Sequence, residues 1–301
     1  MKRLLFIYNP RAGQGKIATH LHTVLDCFVK QGYQVTAHPT QHAGDARETA
    51  VRLGAAFDRI VCAGGDGTLH EVIGGLMQLP ARPPLGYIPL GSTNDFSKNL
   101  CLPKSVAARA AVACGEHLMP LDVGRFQADI FVYVAAFGMF TDVSYRTPQE
   151  FKNTLGHLAY LFAGVTTLAN IRAQRIAVVC DSGTVEGDYI YGMVGNTVSV
   201  GGLPALRDAD VALDDGLFEV LLLKQPENMA QWQGVLHALR TQELDESGCI
   251  TLLRTKSAQF HSVEPVAWTL DGEFGGEHAV VTVENLQHGV QFAVTQKGLT
   301  T

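Results

Sequence analysis

Three strings in the first hundred residues carry the side chains and glycines that phosphate chemistry needs. The first is Asn9-Pro10-Arg11-Ala12-Gly13-Gln14-Gly15-Lys16. Backbone N–H groups at the start of the following helix, with Arg11 and Lys16, make a phosphate cradle. Gly13, Gly15 and Ala18 satisfy G-x-G-x-x-A, but the acidic residue that a dinucleotide ribose requires does not end the second strand. That strand closes His38-Pro39-Thr40, and the next carboxylate is Asp45. A P-loop fails as well, because Gly15-Lys16 is followed by Ile17. The second string, Gly64-Gly65-Asp66-Gly67-Thr68, is more specific. Its glycines let backbone approach a ligand closely, and Thr68 stands where a helix begins, free to cap it or contact a phosphate. A carboxylate facing phosphates repels them unless a cation intervenes, so Asp66 implies Mg²⁺ or a ribose hydroxyl. The third string, Leu90-Gly91-Ser92-Thr93-Asn94-Asp95-Phe96, adds small hydroxyl and amide groups, with Asp95 a candidate N-cap for Phe96–Leu100.

These strings need a scaffold that gathers them. Apolar runs Leu4–Tyr8, Tyr33–His38, Ile60–Ala63 and Leu85–Pro89 read as strands. Helical patterns Ile17–Lys30, Asp45–Leu53, Thr68–Leu79 and Ser105–Cys114 alternate with them. The alternation predicts a doubly wound α/β domain over residues 1–125, whose ligands bind at the carboxyl ends of the strands. Each string falls just after a strand, so together they outline a nucleotide site. From residue 126 to 295 short apolar runs separated by turns predict a β-sandwich-like domain. Helical insertions around Leu155–Ala169 and Asn228–Arg240 interrupt it. No internal repeat is present.

The chain has 301 residues, with 23 Lys+Arg against 29 Asp+Glu, a balance that excludes a general nucleic-acid binder. Its six cysteines are widely spaced, without metal-ligand spacing, and read as core thiols of a cytoplasmic protein. Leu4-Leu5-Phe6-Ile7 is too short for a secretory signal, and Leu155–Ile171 is too short and interrupted to span a bilayer. Any membrane contact is therefore expected to be peripheral and transient.

Asn9-Pro10-x-x-Gly13, Gly64-Gly65-Asp66-Gly67-Thr68 and Pro89-Leu90-Gly91-Ser92-Thr93-Asn94-Asp95-Phe96 resemble the diacylglycerol kinase catalytic domain. Asp214-Asp215-Gly216-Leu217 and Leu270-Asp271-Gly272-Glu273 extend the likeness to bacterial soluble diacylglycerol kinases over nearly the whole chain. Sphingosine and ceramide kinases are more distant relatives. NAD kinases share the Gly-Asp-Gly turn, but the Asn-Glu pair expected after it is missing at the corresponding distance.

The resemblance implies ATP and Mg²⁺ as cofactors, diacylglycerol as acceptor and phosphatidic acid as product, with the active site in the cleft between the domains. Asn9, Pro10, Arg11, Ala12 and Gly13 would line the phosphates, with Thr40 on the nucleotide. Gly64, Gly65, Asp66, Gly67, Thr68, Leu69 and His70 would wrap the triphosphate, beside Ser92 and Thr93. His70 stands where relatives often carry Asn. Asp66 would hold the catalytic cation. Asp271 and Glu273 flank one glycine and could face one side of a strand. Glu273 is the preferred base, with Asp271 its partner or a metal contact. A structural Mg²⁺ would sit on the Asp215 carboxylate and the Ala212 and Leu217 carbonyls, with Asp208 and Asp210 nearby. Another lipid alcohol as acceptor, and a nucleotide-binding regulator without turnover, are the alternatives. A homodimer is left open.

Overall fold

The computed structural model describes residues 1–138, 172–196, 199–200, 203–204, 212–241 and 247–296. The expected helix at Leu155–Ala169, and Asp208 and Asp210, lie outside them. The chain forms two compact units, Met1–Val123 with His288–Thr301, and Gly124–Gln287. Nothing in the order of apolar runs signals that the chain ends in the first unit.

The first unit is α/β. Strands β1 (Lys2–Tyr8), β2 (Tyr33–Pro39), β3 (Arg59–Gly64) and β4 (Leu85–Pro89) pair in parallel in the order β2-β1-β3-β4. Leu4 to Ile7, Ile60 to Ala63 and Leu85 are fully buried, as expected of parallel strands covered on both faces. On one face Leu4, Phe6, Val61, Ala63 and Ile88 join Ile17, Val24 and Phe28 of helix α1 (Ala12–Lys30). Ala110 and Ala113 of helix α4 (Val106–Ala113) complete that layer. Burial of each large side chain there is worth roughly 2 kcal/mol. Ser105 caps α4 by accepting the Ala108 N–H at 3.3 Å.

Helices α2 (Asp45–Leu53) and α3 (Asp66–Leu76) pack on one another. The α2 N-terminus is capped from α3: the Glu71 carboxylate accepts the Gly44 N–H at 2.8 Å and the Ala46 N–H at 3.2 Å. A negative side chain there satisfies orphan amides and meets the positive end of the helix. Asp45, buried, accepts from the Gln41 N–H at 2.7 Å and the Thr49 hydroxyl at 3.1 Å, and pairs with His38 at 3.0 Å. This network fixes the segment that carries Thr40.

The second unit is mostly β. Short strands β5 (Leu118–Phe126, which begins in the first unit) and β6 (Asp129–Phe131) pair, followed by β7 (Val134–Gly138), β8 (Gln174–Cys180) and β9 (Gly183–Gly195). Strands β10 (Ser199–Val200) and β11 (Leu203–Pro204) form a small ribbon. Then come β12 (Phe218–Lys224), the helix Met229–Thr241, β13 (Ile250–Thr255), β14 (Ser257–Leu270) and β15 (Glu273–Ala293), whose last residues belong to the first unit. The antiparallel order is β13-β12-β9-β7-β14-β15, with β8 also paired between β9 and β14. One hydrogen-bonded network therefore joins strands that the sandwich expectation divides between two sheets. Its apolar face gathers Phe137, Phe218, Phe260, Trp268 and Leu270 into one core. Register shifts in β14 at His261/Val266 and Ala267/Thr269 mark bulges, which sharpen twist and let a sheet curl over its own face.

Although burial opposes ionisation of Asp45, the Gln41 N–H, His38 and Thr49 together hold its carboxyl below the usual range. A depressed carboxyl stabilises the fold above about pH 4, its unfolded value, and that contribution fades as pH falls through the folded value. Asp45→Asn should lower stability at pH 7 by about 1–2 kcal/mol, a melting-point fall of a few degrees. The difference from wild type should begin to shrink below about pH 4 and close as pH falls through the depressed folded value. Melting points across pH check this, and a gap independent of pH would contradict it.

Candidate functional site

Four strand ends of the first unit carry the predicted nucleotide residues, and main-chain bonds align them. The Asn9 N–H donates to Ala63 O at 2.9 Å, and the Thr40 N–H to Tyr8 O at 2.9 Å. The Leu90 and Gly91 N–H groups both donate to Gly64 O, at 2.8 and 3.2 Å. The turns after β1, β3 and β4 touch backbone to backbone. A Cβ on Gly91 would lie 2.5 Å from the Gly65 Cα, and a Cβ on Gly13 would overlap the Leu90 carbonyl oxygen. No residue larger than glycine fits such approaches without displacement.

Gly13, Gln14 and Gly15 follow one another with φ of 55°, 64° and 77°. Regular helix in α1 thus starts only after Gly15, where the sequence pattern places it. Three successive left-handed residues make a tight turn ahead of the regular helix, a conformation that favours glycine at two of the three positions. The Asn9 side chain accepts the Arg11 N–H at 2.9 Å and shapes the entry to this turn. Arg11 and Lys16 are exposed, and Ala12 packs against the core.

Asp66 has a role that its spacing does not reveal. Its two carboxylate oxygens accept the Asp95 N–H at 3.0 Å and the Phe96 N–H at 3.2 Å. The 3₁₀ turn Phe96–Asn99 is therefore capped from α3, and the Asp95 side chain makes no cap bond. Asn94, at φ 49°, closes the third turn by accepting the Gly91 N–H at 2.7 Å and donating to Gly91 O at 2.6 Å. Beneath it the buried Tyr87 hydroxyl donates to Gly64 O at 3.2 Å. Burial pushes the Tyr87 phenol up, with Asp66 reinforcing and Arg109 opposing, so it stays a donor.

Gly65 is the N-cap of α3 and no side chain caps that helix. The hydroxyl of Thr68 lies instead beside Gly64, where a Cβ would stand 2.5 Å from Thr68 Oγ1. The Leu69 side chain is buried in the core and its N–H donates to Gly65 O at 3.1 Å, so it supports the turn from behind. His70 Nε2 faces Arg47 Nη2 of α2 at 3.2 Å. Ser92 is exposed and Thr93 half-buried.

In the second unit the Asp271-Gly272-Glu273 turn separates two acids with contrasting surroundings. Asp271 is buried at φ 51°, and its carboxylate accepts N–H bonds from Val132 (2.7 Å), Tyr133 (2.9 Å) and Val134 (3.1 Å). Its own N–H donates to Val134 O at 2.8 Å. Glu273 is exposed, and among the described residues no hydrogen bond occupies its carboxylate oxygens. The two acids thus differ in surroundings: Asp271 is buried among backbone amides and Glu273 faces solvent.

The predicted structural metal position offers only oxygen donors. Asp215 Oδ1 accepts the Leu217 N–H at 2.9 Å, and Oδ2 pairs with Arg254 Nη2 at 2.6 Å. Leu217 O accepts from Asn285 at 3.2 Å. Carboxylate and carbonyl oxygens have two lone pairs each, so further coordination is open to them. Glu219, whose Oε1 accepts from Arg254 at 3.2 Å, keeps Oε2 buried without a hydrogen bond, and Asn196 Oδ1 is likewise unsatisfied. Burial, offset by Arg254 and reinforced by Asp215, pushes the Glu219 carboxyl up to about 7. The Asp215 carboxylate and the Leu217 carbonyl are hard oxygen donors of the kind that hold Mg²⁺, although the Arg254 cation already occupies one Asp215 oxygen. Among the described residues no group of three His, Cys, Asp or Glu could hold a metal by side chains alone.

A β-α-β nucleotide scaffold with convergent glycine turns defines a class of phosphate-binding enzyme. The Diacylglycerol kinase catalytic domain model matches residues 3–126. The diacylglycerol kinase of Bacillus subtilis (strain 168) is 36% identical over 282 residues, 92% of this chain and 91% of the relative. That of Staphylococcus saprophyticus is 33% identical over 277 residues, 92% and 90% of the two chains. A crystal structure from Bacillus anthracis str. Sterne, assigned provisionally as a diacylglycerol kinase, superposes with a TM-score of 0.84 at 28% identity. That match covers 98% of this chain and 96% of the other. The chain belongs to the diacylglycerol kinase family and is a lipid kinase, and membership implies ATP use. Among the described residues no helix is long and apolar enough to cross a membrane.

Removing the Asp271 carboxylate would orphan three buried amides. Asp271→Ala should therefore cost about 3 kcal/mol or more, visible as a melting-point fall of roughly 5–10 °C. Glu273→Gln should leave the melting point within about 1 °C of wild type, since surface substitutions cost little. Thermal denaturation of both variants checks the contrast; equal effects would refute it.

Proposed function

We propose that the protein transfers the γ-phosphate of ATP to the free hydroxyl of diacylglycerol in a Mg²⁺-dependent reaction, giving phosphatidic acid. The observation that carries this reading is the backbone contact of three glycine turns at adjacent strand ends, in a family that phosphorylates lipid. Asn9, Pro10, Arg11, Ala12 and Gly13 line the phosphates, and Thr40 contacts the nucleotide. Residues Gly64 to His70 wrap the triphosphate, through backbone at Leu69, with Ser92 and Thr93 alongside. Phosphoryl transfer needs positioning and charge neutralisation more than covalent help.

Glu273 accepts the proton of the lipid hydroxyl as its oxygen bonds to phosphorus and the bond to ADP breaks. Its exposed carboxylate, free of the bonds that occupy Asp271, favours it over its neighbour. Asp271 holds the turn that presents Glu273. Asp66 would hold Mg²⁺, which when bound would supply positive charge against the phosphates. A second, structural Mg²⁺ is held by Asp215, Ala212 and Leu217. The lipid acceptor calls for transient contact of a cytoplasmic protein with a membrane surface.

Labelled ATP and a panel of diacylglycerol, monoacylglycerol, sphingosine, ceramide and NAD test the reading. Mg²⁺-dependent labelling of diacylglycerol is expected, lost on chelation by EDTA. Labelling of another acceptor alone would reject diacylglycerol as substrate. Glu273→Gln should cut kcat by at least ~100-fold, the usual scale of general-base loss; unchanged turnover would reject Glu273 as the base.

A further inference from the structure

Arg109 carries no motif and sits in the middle of α4, yet its guanidinium reaches the predicted nucleotide region. Nη1 donates to Pro89 O at 2.9 Å, and Nε donates to Pro103 O at 2.8 Å. Pro89 is the last residue of β4, and Pro103 lies just ahead of α4. One side chain thus pins both ends of the segment 90–102, which contains the third glycine turn and the 3₁₀ turn Phe96–Asn99. Asp66 pins the middle of the same segment through the Asp95 and Phe96 amides. A cation takes the terminal carbonyls and an anion takes the internal amides, so the segment is held by charge-assisted bonds of both senses.

We infer that Arg109 is a positioning residue for the nucleotide, acting through the turn Leu90–Phe96. The inference deepens the nucleotide reading given above and rests on it. Arg109 need not touch ATP; it sets where Gly91, Ser92 and Thr93 stand relative to Gly65. The planar fork makes two bonds to carbonyls in different directions, which a lysine ammonium on a single flexible stem does not reproduce. Methionine keeps much of the apolar stem and removes both bonds.

The test is steady-state kinetics in diacylglycerol mixed micelles, with ATP and lipid varied separately, on Arg109→Met, Arg109→Lys and Gly91→Ala. Arg109→Met should raise the KM for ATP about tenfold, leave the KM for lipid unchanged, and lower kcat by no more than about threefold. Arg109→Lys should raise the KM for ATP by a smaller factor. A merely structural residue would instead reduce the active fraction, lowering kcat and the melting point with the KM for ATP unmoved, and that result overturns the inference. Gly91→Ala crowds Gly65 and Asn94 directly, so it reports on the turn itself. A raised KM for ATP in Gly91→Ala with none in Arg109→Met sinks Arg109 alone. An unmoved KM in both sinks the nucleotide assignment of the turn. If Arg109→Met does not fold, Arg109→Lys decides, and an unchanged KM for ATP in it refutes the positioning role.

Discussion

The first unit depends on backbone approaching backbone at the carboxyl ends of its strands. Gly13 lies against the Leu90 carbonyl and Gly91 lies against Gly65, at separations that leave no room for a Cβ. Glycine is costly in an extended or helical context and is tolerated where such an approach is required. Three turns that would otherwise be separate loops become one continuous polar surface. The parallel sheet makes this possible, because β1, β3 and β4 end at the same level and on the same side.

Charge then fixes what glycine leaves loose. Left-handed residues and small side chains give little stiffness of their own, so the turns are braced by long-range bonds. Asp66 from α3 grips the segment after β4, Glu71 from the same helix caps α2, and Asp45 of α2 holds the strand end that carries Thr40. Helix α3 is therefore the organising element: its first turn and its Glu71 reach two neighbouring segments. A site for a highly charged ligand gains from such preorganisation, since groups already in place need not reorganise on binding. In the second unit Asp271 does the equivalent work, accepting three consecutive amides so that Glu273 projects from a fixed turn.

The sequence revealed the elements better than it revealed the braces. Helix α2 falls on Asp45–Leu53 as its periodicity predicts, and the strands of the first unit lie within a residue or two of their apolar runs. Local pattern suffices for such elements because a buried face must repeat. Asp66 stood out as a carboxylate among glycines, yet its bonds to Asp95 and Phe96 connect residues about thirty positions apart. The capping role assigned to Asp95 belongs to Asp66 for the same reason. Arg109 was silent, because an arginine inside an alanine-rich helix normally faces solvent. The return of the chain from His288 into the first unit is likewise a tertiary fact, with no counterpart in composition or spacing. Within Leu270-Asp271-Gly272-Glu273 the spacing says nothing of the two acids' surroundings, which burial and the amide bonds to Asp271 separate.

The central claim is that the turns after β1, β3 and β4 receive one nucleotide together. Hydrogen–deuterium exchange, with and without MgATP, reads the amides of these turns at once. Slowed exchange in peptides covering residues 9–16, 64–70 and 90–96, at a common half-saturating nucleotide concentration, is the result this account predicts. Protection of one turn without the others, or of none while ATP is demonstrably bound, would contradict it.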